Sequence, residues 1–172
     1  DLAYNKANVK LVGVGAGFTY GSMGSSHHAI EDISIMRSIP NMTVLCPGDP
    51  FETEELIKRS YEHFGPVYIR LGKNGEPIIH KNKNKIEIGE IISITEGDDL
   101  ILFTTSNTLE LGKSWVDDWS QEGIHVNLVS VPTIKPINQS MIRKLIDRNI
   151  PMITLEEHSI IGGLGSTISE II

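Results

Sequence analysis

Short apolar runs with almost no polar interruption recur along this chain, and stretches of helical period stand between them. The runs are residues 9–14 (VKLVGV), 43–46 (TVLC), 67–71 (VYIRL), 100–105 (LILFTT), 125–131 (HVNLVSV) and 152–155 (MITL). A strand covered on one face alternates apolar with polar, whereas a strand covered on both faces reads as a continuous apolar run. Between them, Ile30, Ile33, Met36 and Ile39 fall at intervals of three, predicting a helix over 29–39. Asp49 before Pro50 sets a capping acid ahead of a first-turn proline, with Phe51, Leu56 and Tyr61 following. Residues 107–121 carry Leu109, Trp115, Val116 and Trp119 on one face, and 137–148 carry Met141, Ile142, Leu145 and Ile146. Strand and helix in alternation predict an α/β chain of mainly parallel sheets flanked by helices, joined by right-handed crossovers.

The alternation breaks once. After Gly72 the chain turns rich in lysine and asparagine (KNGEPIIHKNKNK), which predicts a solvated connector in which Pro77, Ile78 and Ile79 can dock as a brief extended piece. Long structureless segments are uncommon inside compact domains. The expected organisation is therefore one unit over 1–75, a linker over 76–85 and a second unit over 86–172. The chain opens on Asp1 in a polar stretch and stops at Ile172 within a helical pattern, so a piece of a longer protein is expected.

At 172 residues with a formal charge of -7, the chain would be repelled by phosphate backbones and anionic lipid. Nucleic acid and membrane are thus not expected partners, and no apolar run approaches the roughly 20 residues that cross a bilayer. A single cysteine, Cys46, can form neither an internal disulfide nor a cysteine metal site, and a reducing cytoplasm is the expected compartment.

Three segments could carry chemistry. The first is the loop over 13–28, GVGAGFTYGSMGSSHH, which leaves the C-terminal end of a strand, where sheets of this kind form their ligand crevices. Its imidazoles, His27 and His28, titrate near neutrality and can give or take a proton at a substrate oxygen. A dinucleotide fingerprint does not fit. Gly13, Gly15 and Gly17 follow a strand, but Phe18 stands where the third glycine belongs, and the helix starts too late to hold a pyrophosphate. The second segment is Arg70, at a strand end, whose fork suits a phosphate or carboxylate; a surface ion pair is the plainer alternative. The third is Glu156, Glu157 and His158 ahead of Gly162 and Gly163. Neighbours on a strand end point in opposite directions, which favours a structural turn over a metal or acid–base site.

Taken together, these segments resemble the transketolase family, which includes deoxyxylulose-phosphate synthase and the beta subunits of 2-oxo-acid dehydrogenases. The stretch GSMGSSHHAIEDISIMRSIPNMTVLCPGD is similar to the family signature G-x-D-G-x-[ST]-H-x-x-x-[ED]…R-x-[IL]-P-[NG]-[ML]-x-V…P-x-D. IKP at 134–136 and LEEHSIIGGLGS at 155–166 resemble the family's C-terminal domain. The resemblance implies the latter part of a thiamine-diphosphate pyrimidine-binding domain, then a transketolase C-terminal domain. It implies His27 as the catalytic histidine beside cofactor and substrate, Arg70 as the holder of an acceptor phosphate, and His28 and Met23 as substrate neighbours. Glu31 and Asp49 match acidic positions and are taken as framework.

The same resemblance implies thiamine diphosphate and Mg2+ in the complete enzyme. The glutamate that touches the cofactor's ring is expected before Asp1, and a diphosphate-binding domain or subunit is expected as partner, in a homodimer or heterotetramer. Ketol transfer between sugars or sugar phosphates is the expected reaction, with no activity expected of this chain alone. Two departures bear on substrate. Met23 stands where sugar transketolases carry an aspartate, and Gly15 and Ala16 stand near the place of a loop histidine. A thioether accepts a hydroxyl hydrogen bond poorly, so a pocket less selective for polyols is expected. Alternatives are a non-catalytic assembly module, a dehydrogenase beta subunit and a deoxyxylulose-phosphate synthase-like enzyme.

Overall fold

The computed structural model describes residues 1–81 and 84–172. In chain order the elements are β1 (Lys10–Val14), α1 (Asp32–Ser38), β2 (Thr43–Leu45), α2 (Pro50–Glu62), β3 (Val67–Leu71), β4 (Ile92–Ser93), β5 (Leu100–Thr104), α3 (Thr108–Gln121), β6 (Val126–Ser130), β7 (Thr133–Lys135), α4 (Gln139–Ile146), β8 (Met152–Leu155) and α5 (Leu164–Ser169). They form two four-stranded sheets, ordered β1-β3-β2-β7 and β4-β6-β5-β8. β3 pairs in parallel with both β1 and β2, and β5 with both β6 and β8. The expected α/β class and mainly parallel sheets hold.

One strand crosses the expected division. β7, from the second unit, lies antiparallel against β2 at the edge of the first sheet. The IKP stretch that marks it is too short and too proline-bounded to read as a strand on pattern alone. Its Lys135 Nζ donates to the Arg37 and Ile39 carbonyls at 2.8 and 2.7 Å, setting a cation on the C-terminal end of α1. The main apolar core is correspondingly continuous across both units. Ile33, Val44, Cys46 and Tyr68 pack in one cluster with Phe103, Val131, Ile142 and Leu164. Residues on both sides of the 76–85 segment thus share this core.

The connector docks more firmly than its composition implies. Asp49 caps α2, its Oδ1 accepting the Glu52 N–H at 2.8 Å, a contact worth about 1 kcal/mol. Its second oxygen accepts the N–H groups of Ile79 and His80, at 2.8 and 3.2 Å. Asn82 and Lys83, within the expected linker, lie outside the described residues. Helix α1 starts at Asp32, three residues later than expected from its period, because Ala29 exchanges backbone hydrogen bonds with Gly17 and the Ile30 carbonyl accepts from Ser159 N at 2.8 Å. Among the described residues, no helix is long and apolar enough to cross a membrane.

Candidate active-site loop

β1 runs straight into the glycine-rich loop, whose neck is fixed at the C-terminal end of the first sheet. Gly15 N donates to the Leu71 and Gly72 carbonyls, and Ala16 N to Leu71. Gly17 and Ala29 then close the loop reciprocally, N–H to carbonyl at 3.1 and 3.0 Å. The loop itself is two 3-10 turns, Gly21–Met23 and Ser25–His27, hinged at Gly24 with φ of 82°. That left-handed torsion is open to glycine at little cost.

His27 stands exposed on the second turn, its Nδ1 3.0 Å from the Ser26 hydroxyl. It lies at a strand-end loop and outside the apolar core. His28 faces inward by comparison. Its Nε2 lies 3.3 Å from the Gly21 carbonyl and its ring meets Phe18 edge-on at 5.0 Å, so in this geometry it braces the loop. Met23 is exposed at the tip. Val12 and Val14, which share a face of β1, and Phe18 are exposed as well, giving the approach to the loop an apolar side.

Arg70 is placed differently from expectation. Its side chain is 1% exposed, with Nε donating to Asp32 Oδ2 at 3.0 Å and Nη2 donating to the carbonyls of Ala29 and Glu157 at 2.8 and 3.0 Å. Tyr68 donates to the same Asp32 oxygen at 2.8 Å. So buried, the guanidinium does not present its fork at the surface to an acceptor phosphate, and neither does it make the surface ion pair that the sequence left as the alternative. Burial and the neighbouring Asp32 carboxylate push the Tyr68 phenol well above its usual range. Three residues on, Lys73 is exposed and its Nζ lies 5.4 Å from the Tyr20 ring centroid, over a loop residue.

The acids of the third segment have structural places, as expected of a turn. Glu156 accepts from the first N–H groups of α5, Leu164 N and Gly165 N, at 2.6 and 2.9 Å. Glu157 accepts from Phe18 N and Asn107 Nδ2, at 2.9 and 2.7 Å. His158 Nε2 accepts from Ser34 N at 3.3 Å, and Nδ1 faces the Ser159 carbonyl at 2.8 Å. Glu31 precedes α1 without making a side-chain cap. Sequence reasoning missed Asp32 and Glu157 as partners of the loop. The available signal was that Tyr68 and Arg70, two apart on β3, share a face and so need one common acceptor.

Among the described residues, Asp49, Glu52 and His80 have metal-ligand spacing, their candidate atoms lying within 4.8 Å of one another. These atoms are already engaged. His80 Nε2 lies 2.8 Å from Glu52 Oε1, Gly48 N donates to Glu52 Oε2 at 2.6 Å, and both Asp49 oxygens accept backbone N–H groups. The cluster closes the connector over the start of α2.

Two family profiles match: "Transketolase, pyrimidine binding domain" over residues 1–76 and "Transketolase, C-terminal domain" over 89–172. The chain belongs to the transketolase family. Within that family it is 39% identical over 173 residues to a putative transketolase C-terminal section of Methanocaldococcus jannaschii, covering 99% of this chain and 54% of that protein. It is 33% identical to one of the subunits of an apulose-4-phosphate transketolase of Phocaeicola vulgatus, covering 99% of this chain and 55% of the relative. Among solved structures, a split-gene transketolase described as an inactive beta4 tetramer superposes with a TM-score of 0.86 at 34% identity, over 99% of this chain and 55% of that one. A transketolase of Pichia stipitis, 21% identical with a TM-score of 0.76 over 93% of this chain and 25% of its own, shares the fold. The chain thus spans about half the length of the first relatives it matches.

Proposed function

We propose that this chain supplies one wall of the active site of a thiamine-diphosphate-dependent ketol transferase, and that a diphosphate-binding domain or subunit supplies the other. The observation that carries this reading is the exposed His27, presented on a loop whose neck is hydrogen-bonded to the strand ends beneath it. His27 gives or takes the proton at the substrate oxygen as the two-carbon unit is bound and released. When bound, thiamine diphosphate provides the carbon nucleophile that carries that unit.

The residues present fit one end of the cofactor. Exposed Val12, Val14, Phe18 and Met23 suit the flat face of a heteroaromatic ring. The described carboxylates with metal-ligand spacing are buried and satisfied, and they would repel a diphosphate. Mg2+ and the diphosphate therefore belong to the partner. The relatives named as one subunit of a transketolase support a two-part assembly, either a homodimer of longer chains or a heterotetramer, and the tetramer described as inactive supports a chain that does not act alone. With Arg70 committed to the interior, Lys73 is the cation at this strand end that meets an anionic sugar substrate. A buried free Cys46 suits a reducing cytoplasm.

The test mixes the chain with its diphosphate-binding partner, thiamine diphosphate and Mg2+, and measures ketol transfer from a ketose or from hydroxypyruvate. Turnover is expected, and His27→Ala is expected to reduce kcat by about 10²–10⁴-fold with folding intact. Cofactor binding in calorimetry without turnover on a broad donor panel would instead identify a non-catalytic assembly module.

A further inference from the structure

We infer that Glu157, contributed by the second unit, is a positioning residue for the His27 loop. The inference rests on the function proposed above for its catalytic consequence, but its structural content stands on contacts alone. Glu157 follows β8, on the far sheet, and reaches the loop neck twice. Its Oε2 accepts the Phe18 N–H at 2.9 Å, on the outgoing side of the neck. Its carbonyl accepts Arg70 Nη2 at 3.0 Å, and the same nitrogen donates to the Ala29 carbonyl at 2.8 Å, on the returning side. One residue thus grips both sides of the neck, directly at Phe18 and through Arg70 at Ala29.

The loop is shaped to admit it. Gly17 has φ of 59°, and a Cβ at that position would overlap the Glu157 carboxylate and Cβ. A side chain at Gly17 would expel the acid, so the glycine and the acid form a matched pair from opposite units. Asn107 at the start of α3 donates to the same Oε2 at 2.7 Å and fixes the rotamer that enters the gap. Between Phe18 and His28 the loop's remaining hydrogen bonds are mostly its own short-range turns, so the orientation of His27 depends on how the neck is held. Displacement of a reacting group by about 1 Å can cost about a hundredfold in rate.

The test uses the full-length chain in complex with its diphosphate-binding partner and compares Glu157→Ala, Glu157→Gln and Gly17→Ala. Hydrogen exchange over residues 18–28 is expected to speed up by about tenfold or more in Glu157→Ala and in Gly17→Ala, a local opening, while Leu102 and Leu128 in the core stay protected. Turnover by these two variants is expected to fall by about ten- to a hundredfold in kcat, with KM for the sugar donor changed by less than about threefold. Glu157→Gln keeps an acceptor oxygen and is expected to restore both readouts to within about threefold of wild type. Loop exchange unchanged in Glu157→Ala, or kcat unchanged in it while His27→Ala abolishes turnover, would overturn the inference. If Glu157→Ala loosens the whole fold, Gly17→Ala decides by the same two readouts. If the wild-type complex turns over no donor, the proposed function fails, and the exchange result alone decides whether Glu157 holds the loop.

Discussion

Arg70 and Asp32 form an ion pair in the interior of this fold, Nε to Oδ2 at 3.0 Å, and Tyr68 shares the same carboxylate oxygen. A buried pair gains little over an apolar replacement, yet removing one member strands the other charge. Asp32→Ala is therefore expected to destabilise the chain by about 3–5 kcal/mol. Arg70→Lys is expected to fall short of rescue, since an ammonium cannot span Asp32, Ala29 and Glu157 as the planar fork does. Urea denaturation followed by circular dichroism measures both. A midpoint unchanged in Asp32→Ala would contradict the assignment.

Lys73 offers the contrasting case of a cation at the surface. Its removal should leave stability within about 0.5 kcal/mol of wild type, as for most exposed positions. In the reconstituted enzyme Lys73→Ala is expected to raise KM for a phosphorylated acceptor by about tenfold or more, the loss of one charge-assisted hydrogen bond of about 1.5–3 kcal/mol. Kinetics with the matching unphosphorylated acceptor should show little change. An equal effect on both acceptors would remove Lys73 from phosphate recognition.

The strands were legible in the residues because they are short runs made mostly of apolar residues, and β3 and β8 begin and end where pattern alone puts them. The loop was legible as a loop, and His27 stands exposed on it. Partnership was not. Nothing local to residues 152–158 tells that Glu157 enters a gap beside Gly17, since that contact spans 139 positions to Phe18. Arg70 was misplaced for a related reason. A strand-end arginine looks the same in sequence whether its fork meets a ligand or three interior acceptors, and only the positions of Asp32, Ala29 and Glu157 distinguish the two.

His80 carries the connector's pH dependence. Burial pushes its imidazole down, but the hydrogen bond to Glu52 and the charges of Glu52 and Asp49 more than reverse this, leaving it above its ordinary value. Lys81 and Lys85 are the cations nearby in the lining of the adjacent cleft. A raised folded value means that the folded chain binds the proton more tightly than the unfolded one, so the gain is complete below about pH 6.5 and is lost as pH rises through the folded value. Urea midpoints of wild type and His80→Gln should accordingly converge as pH rises from about 6 towards 8. A gap constant over that window would show that His80 acts by packing alone.

Cys46 is fully buried, and burial pushes its thiol up to about 12, against a smaller opposing pull from Arg70. The thiolate is the reactive form, so the folded chain should resist a disulfide reagent at about pH 8, and the rate of labelling should follow unfolding. Stopped-flow labelling across a urea series tests this. Fast reaction in the absence of urea would place Cys46 at the surface.

The crossing of β7 between sheets has a consequence for anyone dividing this protein. Severing the chain in the lysine-rich connector would strip an edge strand from the first sheet and leave β2 with open amide and carbonyl groups, a surface that invites strands from other molecules. Each half would then tend to precipitate when made alone, and the two would need to be co-expressed to recover a soluble pair.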